Sequence, residues 1–221
     1  MNLLLAIDTS TDQVGLALTD GEAISELSWP ARQRQTSIVL QGIDHLLSLS
    51  NRAIGDVAAV AVATGPGSFS GLRVGLSVAK GLVLARDVAL VGISTLLITA
   101  LPHVSTERPA VAVVGAGRRR LVWANVGDSD GDPTVAGVLV NGSPEELVAF
   151  VAAIHGPVLV CGEVPNELRA SWRGDPLVAC PVLSDRRPAA LARLGWDRLR
   201  RGDVDDPVTL EPAYVHLASP T

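Results

Sequence analysis

The residues with the clearest chemical potential in this chain are the glycines of one short stretch. Gly65, Gly67, Gly71 and Gly75 follow an apolar, β-branched run at 57–64 and lead into a predicted helix. A glycine-rich turn between a strand and a helix aims free backbone N–H groups at one point, with the positive end of the helix behind them. Such a turn either holds an anion or lets another backbone approach closely. The sequence leaves both alternatives open.

This turn is not an ATP-binding P-loop, because no Gly-Lys-Ser/Thr follows it and Lys80 lies at least two turns into the helix. Gly71, Gly75 and Ala79 recur every four residues along that helix and form a stripe of small residues. A glycine inside a helix costs about 1 kcal/mol relative to alanine, so close packing should offset this cost. A helix of a partner and the chain's own sheet are equally good candidates for the neighbour. The stripe is flanked by apolar residues, namely Leu72, Leu76 and Val83.

The turn Asp8–Thr11 at the end of the first predicted strand is a second candidate site. In two-lobed ATPases such a turn places an acid near a metal and hydroxyls near a phosphate. The same residue types also hydrogen-bond their own turn, which is the interpretation we favour. A matching turn at 115–117 has glycines but no acid, which weighs against ATP hydrolysis. The arginines that follow it form either a solvated hairpin, the favoured interpretation, or a contact to RNA phosphates: Arg118, Arg119 and Arg120. Arg198, Arg200 and Arg201 are further residues to test for RNA contact.

Other site chemistries find little support in the sequence. The four histidines are scattered without a metal-binding spacing, and there is no GxSxG nucleophile motif. Ser68 and Ser70 stand at a helix start, where a hydroxyl is more often a cap than a nucleophile. Cys161 and Cys180 lack a CxxC spacing and are expected to be reduced thiols. The prediction is therefore a chain with no catalytic residues, no cofactor and no metal.

Composition restricts the class of protein. The 221 residues are 48% hydrophobic, only 3% aromatic and 19% charged, and the formal net charge is −5. An acidic chain gives no support to nonspecific nucleic-acid binding. The apolar N-terminal run is too short to span a membrane and ends at Asp8, so we expect a cytoplasmic protein with no membrane contact.

Hydrophobic periodicity predicts an α/β protein with two related lobes, 1–101 and 102–185, joined by a proline-containing hinge at 102–109. The order strand–turn–strand–strand–helix–strand occurs in both. Predicted strands are 3–8, 13–19, 23–29, 57–63, 88–92, 110–114, 121–126, 134–140 and 158–161. Predicted helices are 36–50, 72–85, 94–100, one beginning at Ser143, and 188–200. An irregular tail at 203–221 follows.

Several of these segments together closely resemble the bacterial TsaB family, also called YeaZ. They are LLLAIDTS at 3–10, VATGPGSFSGLRVG at 62–75, KGL at 80–82 and GISTL at 92–96, with a weaker match of LEPAYV at 210–215. The resemblance implies a fold of two ribonuclease-H-like lobes of the actin/Hsp70/sugar-kinase (ASKHA) type. It also implies that the last helix, within 186–202, returns to the first lobe.

The resemblance implies a noncatalytic subunit that joins the catalytic subunit TsaD and the ATPase TsaE. Together these proteins place threonylcarbamoyl on the adenosine beside the anticodon of tRNA, which this chain reaches through the complex. Partner contact in the family is made by a helix bundle of the first lobe, and isolated members often form homodimers through the same surface. Mapped here, the interface residues are Ile38, Val39, Ile43, Leu46, Gly71, Leu72, Gly75, Leu76, Ala79 and Val83. Gly75→Arg is then expected to abolish TsaD binding without unfolding the protein.

The chain departs from the family pattern in three places. Gly115-Ala116-Gly117 replaces an Asp-Ala-Arg turn, Ser70 replaces a common threonine, and Gln35 replaces a histidine. The main alternative function is an ATPase or phosphotransferase of the same fold that acts on a small molecule. The absence of an acid from the turn at 115–117 argues against this alternative. A peptidase is the least supported alternative, since the sequence shows no nucleophile and base in a recognisable arrangement.

Overall fold

A computed structural model of the chain describes residues 3–31, 35–104, 108–117, 120–129, 132–181 and 186–214. The chain folds as two compact units. Among the described residues, the first lobe comprises 3–94 and 187–213, and the second comprises 95–186 and Tyr214. The division falls a few residues before the boundary expected at 101, because the helix after Ser94 packs its Leu96 and Ala100 into the core of the second lobe. Residues 105–107 of the expected hinge lie outside the described residues.

The first lobe is built from five strands, three long helices and a short 3-10 turn at Ile54–Asp56 in the described residues. The strands are β1 (Leu3–Asp8), β2 (Gln13–Thr19), β3 (Ile24–Pro30), β4 (Val57–Gly65) and β5 (Ala89–Ser94). The helices are α1 (Gln35–Leu49), α2 (Phe69–Arg86) and α6 (Pro188–Arg200), the last from the end of the chain. The sequence therefore predicts every strand and helix of this lobe to within a few residues.

The strand order of the first-lobe sheet is β3-β2-β1-β4-β5. β1 pairs antiparallel with β2 and parallel with β4, with Ile7 opposite both Leu16 and Val62. β2 pairs antiparallel with β3, and β4 pairs parallel with β5. β1 is buried along its whole length because helices cover the central part of this sheet on both faces, as expected for its continuous apolar run.

The second lobe repeats this order with β6 (Ala110–Gly115), β7 (Leu121–Ser129), β8 (Asp132–Gly142), β9 (Val158–Gly162) and β10 (Val178–Ala179). Its sheet reads β8-β7-β6-β9-β10, with the same pattern of antiparallel and parallel pairs. Its helices are α3 (Thr95–Ala100), α4 (Pro144–Ala152) and α5 (Asn166–Ser171), and a 3-10 turn spans Leu101–His103. The short elements α5 and β10 were not predicted.

The α4 helix begins as its sequence predicts. The Ser143 side chain accepts from the Glu146 N–H, and the Glu146 carboxylate accepts from the Ser143 N–H at 2.6 Å. This reciprocal capping box satisfies two backbone donors that a helix start leaves unpaired.

The two cysteines lie on opposite faces of the second-lobe sheet. Cys161 packs with Ala112 and Ala124, whereas Cys180 packs on the other face near Val160 and Val178. Both are free thiols, as expected. Burial raises the pKa of Cys161 to about 12.

In the described residues, every helix is too short or too polar to cross a membrane.

Candidate functional site

The glycine turn packs directly on the backbone of the β1–β2 turn. A Cβ atom at Gly67 would lie 2.3 Å from the Ser10 carbonyl oxygen, and one at Gly71 would lie 2.1 Å from the Thr9 carbonyl oxygen. Both distances are far below van der Waals contact, so any side chain at either position would force the two loops apart. Of the two alternatives for this turn, the structure supports close approach of another backbone, and that backbone belongs to the same lobe.

Hydrogen bonds join the two loops at the same place. The Ser68 N–H donates to the Ser10 carbonyl at 2.6 Å, and the Thr9 hydroxyl donates to the Gly71 carbonyl at 2.7 Å. Ser68 also caps α2 by accepting from the Gly71 N–H at 3.3 Å, as predicted. Two N–H groups that could have faced an anion therefore have partners within the lobe.

The turn Asp8–Thr11 is buried and hydrogen-bonded to itself. The Asp8 carboxylate accepts from both the Ser10 N–H at 2.9 Å and the Ser10 hydroxyl at 2.5 Å. The interpretation that these residues hydrogen-bond their own turn is thus confirmed. Thr9 and Ser10 direct their hydroxyls at protein atoms, where a phosphate-binding turn would direct them at its ligand.

The small-residue stripe of α2 faces the chain's own sheet. A Cβ atom at Gly75 would lie 2.3 Å from the Thr9 hydroxyl oxygen and 3.7 Å from Val62, and Ala79 is fully buried. An arginine at position 75 would have to displace this core. This packing argues against the expectation that Gly75→Arg leaves the fold intact, and the outcome of that substitution stays a prediction.

Nine of the ten predicted interface residues are buried within the first lobe, and the tenth, Ile38, is partly buried against the same core. The buried set is Val39, Ile43, Leu46, Gly71, Leu72, Gly75, Leu76, Ala79 and Val83. These residues pack α1 and α2 onto the sheet and are not presented to a partner in this packing. Docking on this helix pair stays a prediction, and it would use residues that sequence reasoning did not single out.

Exposed apolar residues do occur on the outside of these two helices. Leu40 on α1 is 57% exposed, and Phe69 and Leu84 on α2 are 56% and 68% exposed. The Arg73 guanidinium lies 4.0 Å from the centre of the Phe69 ring, one helical turn along. We call Leu40, Phe69, Arg73 and Leu84 the helix-pair surface. Arginine and aromatic residues are enriched at protein interfaces.

The second-lobe turn is held by a carboxylate from another loop. The Gly115 N–H donates to Glu163 Oε2 at 2.9 Å, and Glu163 Oε1 forms an ion pair with Arg186 at 3.0 Å. The acid missing from the turn itself thus has a counterpart 48 residues away, just after β9. Sequence reasoning missed Glu163 because nothing local marks it.

The arginines considered for RNA contact divide into three groups. Arg118 and Arg119 lie outside the described residues. Arg120 donates from its Nε to the Asn141 side chain at 3.1 Å, and Arg198 is bound to two aspartates of the first lobe. Arg200 and Arg201 are exposed at the end of α6.

No group of three or more His, Cys, Asp or Glu side chains within the described residues is arranged to hold a metal. A cavity of about 440 Å³ in the second lobe is lined by Trp172, Arg173 and Cys180 among others. Arg169, also at this cavity, donates to the Gly162 and Val164 carbonyls at 2.9 and 3.2 Å. This arginine therefore contributes to the packing of the lobe.

Comparisons with known proteins agree on the kind of protein. Residues 30–136 match the family model described as "TsaD: tRNA N6-adenosine threonylcarbamoyltransferase". The tRNA threonylcarbamoyladenosine biosynthesis protein TsaB of Escherichia coli is 33% identical over 94 residues, which are 42% of this chain and 41% of that protein. TsaB of Haemophilus influenzae is 37% identical over 127 residues, which are 56% of this chain and 53% of that protein. The chain thus spans about half the length of the curated relatives it matches.

Among solved structures, YeaZ from Pseudomonas aeruginosa superposes with a TM-score of 0.78 at 22% identity, covering 97% of this chain and all of that one. Together with the repeated strand order, this likeness identifies a two-lobed ASKHA-type α/β fold. Within that class, the two curated relatives described above are both named TsaB. The sequence and fold matches together support a member of the TsaB family, also called YeaZ.

Proposed function

We propose that this chain is a noncatalytic, cytoplasmic subunit in the synthesis of threonylcarbamoyladenosine on tRNA. The names of its curated relatives support a role in this biosynthesis. In this proposal the chain binds the catalytic subunit TsaD, works with the ATPase TsaE and reaches tRNA only within the complex. When isolated, it pairs with a second copy of itself.

The observation that carries the noncatalytic role is the closed turn of the first lobe. The glycine turn fills the space next to Thr9 and Ser10, and the hydroxyls of both residues are used inside the protein. A phosphate placed there would have to break these hydrogen bonds and separate two loops that touch at backbone distance. This supports a structural role for the lobe over an ATPase or phosphotransferase.

The helix-pair surface is the region we propose for TsaD. Leu40, Phe69 and Leu84 are more than half exposed, whereas the residues of α1 and α2 that the sequence predicts as the interface are buried or partly buried. Burying large apolar side chains at an interface releases about 1.5–3 kcal/mol each when burial is complete. Removing one of them should weaken a complex measurably without disturbing the core.

The experiment is co-purification of this chain with TsaD from the same genome, with threonylcarbamoyladenosine in tRNA quantified by mass spectrometry. We expect a complex on size-exclusion chromatography, and modification that depends on adding this chain. Full modification in its absence would reject the subunit role. Micromolar binding of ATP to the isolated chain, measured by calorimetry, would instead favour the alternative of an ASKHA-type ATPase.

Leu84→Asp tests the surface. It should weaken TsaD binding at least tenfold. The binding free energy lost with the apolar contact and the cost of desolvating the new carboxylate together exceed about 1.4 kcal/mol, which corresponds to a factor of ten. Val138→Asp is the matched control, because Val138 is 82% exposed on β8 of the second lobe. Equal binding by both variants would exclude the helix-pair surface while leaving the subunit role open.

A further inference from the structure

The segment after α6 runs along the outer edge of the first-lobe sheet. We call residues 203–213 the strap. β5 is the last strand of the order β3-β2-β1-β4-β5, so one of its sides has no neighbouring strand in the sheet. Such an edge presents unpaired backbone N–H and C=O groups and is a template for pairing with another chain.

Asp205 occupies the hydrogen-bonding positions of this edge. Its backbone N–H donates to the Leu90 carbonyl at 2.8 Å, and its carboxylate oxygen Oδ2 accepts from the Gly92 N–H at 2.7 Å. An added strand would supply a backbone N–H and C=O at these same two places. One aspartate thus substitutes for a residue of a sixth strand.

Arg198 fixes Asp205 and covers the next group of the edge. Its NH1 donates to the Gly92 carbonyl at 2.7 Å and lies 3.2 Å from the Asp205 carboxylate. Its other nitrogens donate to both carboxylate oxygens of Asp203, at 2.6 and 2.8 Å. Paired hydrogen bonds between a guanidinium and a carboxylate are stronger and more directional than neutral ones.

Two further contacts hold the far end of the strap. Leu210 packs against the first-lobe core. Its Cδ1 atom lies so close to Gly92 that a Cβ atom at position 92 would be 2.9 Å away from it. The Ala213 N–H donates to the Thr64 carbonyl at 2.7 Å, next to the glycine turn. The strap is therefore seated on the lobe at three places along its length.

We propose that the strap guards a strand-accepting edge, and that β5, once uncovered, pairs with β5 of a second copy of this chain. β5 has no charged residue, which leaves nothing on the strand itself to oppose pairing. The other edge, β3, carries Glu26 bound to Arg187 and ends at Pro30, two features that block pairing. Pairing of one edge with its own copy closes as a two-fold dimer.

The test compares Asp205→Ala with Asp205→Asn in the full-length chain. The asparagine keeps a side-chain oxygen for the Gly92 N–H, whereas the alanine removes it. We expect amide exchange at Gly92 to be roughly tenfold faster in dilute Asp205→Ala, because a hydrogen bond to a charged group is lost. At higher concentration this variant should gain mass over the wild type by light scattering, and its Gly92 amide should become protected again. Asp205→Asn should stay close to the wild type in both measurements.

Two results would overturn the proposal. One is an Asp205→Ala chain that keeps the wild-type mass at every concentration although its Gly92 amide exchanges fast. The other is association that leaves the Gly92 amide unprotected, since that places the contact elsewhere, for example on the helix-pair surface. Should Asp205→Ala fail to fold, Arg198→Met frees the Gly92 carbonyl and releases Asp203 and Asp205, while the sequence of the strap stays unchanged. It must then show the same concentration dependence for the proposal to stand.

Discussion

The two lobes share one strand order but fix their turns by different chemistry. In the first lobe, the loop after β4 approaches the β1–β2 turn by having no side chains at Gly67 and Gly71, so that backbone meets backbone. In the second lobe, the loop after β9 reaches the corresponding β6–β7 turn through a side chain, the Glu163 carboxylate. The same topology is therefore closed by steric fit in one lobe and by a hydrogen bond in the other.

This difference indicates how much variation each turn tolerates. A steric contact at 2.1–2.3 Å from a hypothetical Cβ leaves no room for any side chain. A hydrogen bond between a half-exposed carboxylate and one N–H group can be replaced by water at moderate cost. The first-lobe turn is thus the more constrained of the two.

The largest expected effect comes from Gly71→Ala. The new methyl group would collide with the Thr9 carbonyl, which belongs to the buried backbone and cannot move aside. Overpacking of this kind costs about 1–3 kcal/mol or more. We expect a loss of at least this size in the free energy of unfolding, measured by urea denaturation. A loss below about 0.5 kcal/mol, the usual range for surface substitutions, would mean that the two loops separate easily.

A smaller loss is expected from Glu163→Ala in the second lobe. It removes the hydrogen bond to Gly115 and the ion pair with Arg186. Because Glu163 is 38% exposed, we discount the pair for screening and expect about 1 kcal/mol. Glu163→Gln is the control, since it keeps an acceptor for Gly115 and should lose less. If the alanine variant destabilised the protein more than Gly71→Ala, the ranking of the two turns would be reversed.

Gly81→Ala tests whether glycine in α2 is required everywhere or only at the contact. No atom outside its immediate helix lies within 4 Å of a Cβ at this position, and Gly81 is exposed. Alanine is favoured over glycine inside a helix, so the variant should be more stable by up to about 1 kcal/mol. Destabilisation by Gly81→Ala would show that the cost of Gly71→Ala is a general property of the helix.

The contrast between the lobes also shows what sequence reasoning can reach. Periodicity located β1, β2, α2 and α6 because each is a continuous pattern that its own residues determine. The partner of the glycine stripe was left open, since a smooth helix face fits a neighbouring helix and a sheet equally well. Only the three-dimensional position of Thr9 decides between them.

The elements and contacts missed by sequence reasoning are short or non-local. β10 has two residues and α5 has six, too few for a periodic signal. Glu163 acts on a turn 48 residues away, and Asp205 acts on Gly92 across 113 residues. Neither acid differs in its local sequence from an ordinary surface carboxylate, so their roles follow from topology alone.

The smallest expected effect is on the free energy of unfolding at low pH, to which the ion pair between Arg198 and Asp203 in the first lobe contributes. The hydrogen bonds from Arg198 lower the pKa of Asp203 below its ordinary value. A carboxylate with a lowered pKa stabilises the folded state above its unfolded pKa, near 3.9, and this contribution is lost as the pH falls through the folded pKa. Asp203 is 57% exposed, so its contribution should stay within about 1 kcal/mol. Unfolding free energies of the wild type and Asp203→Asn should therefore differ slightly at pH 6. This difference should shrink as the pH falls below about 3.9. A difference that stays unchanged throughout acid titration would assign it to something other than the ion pair.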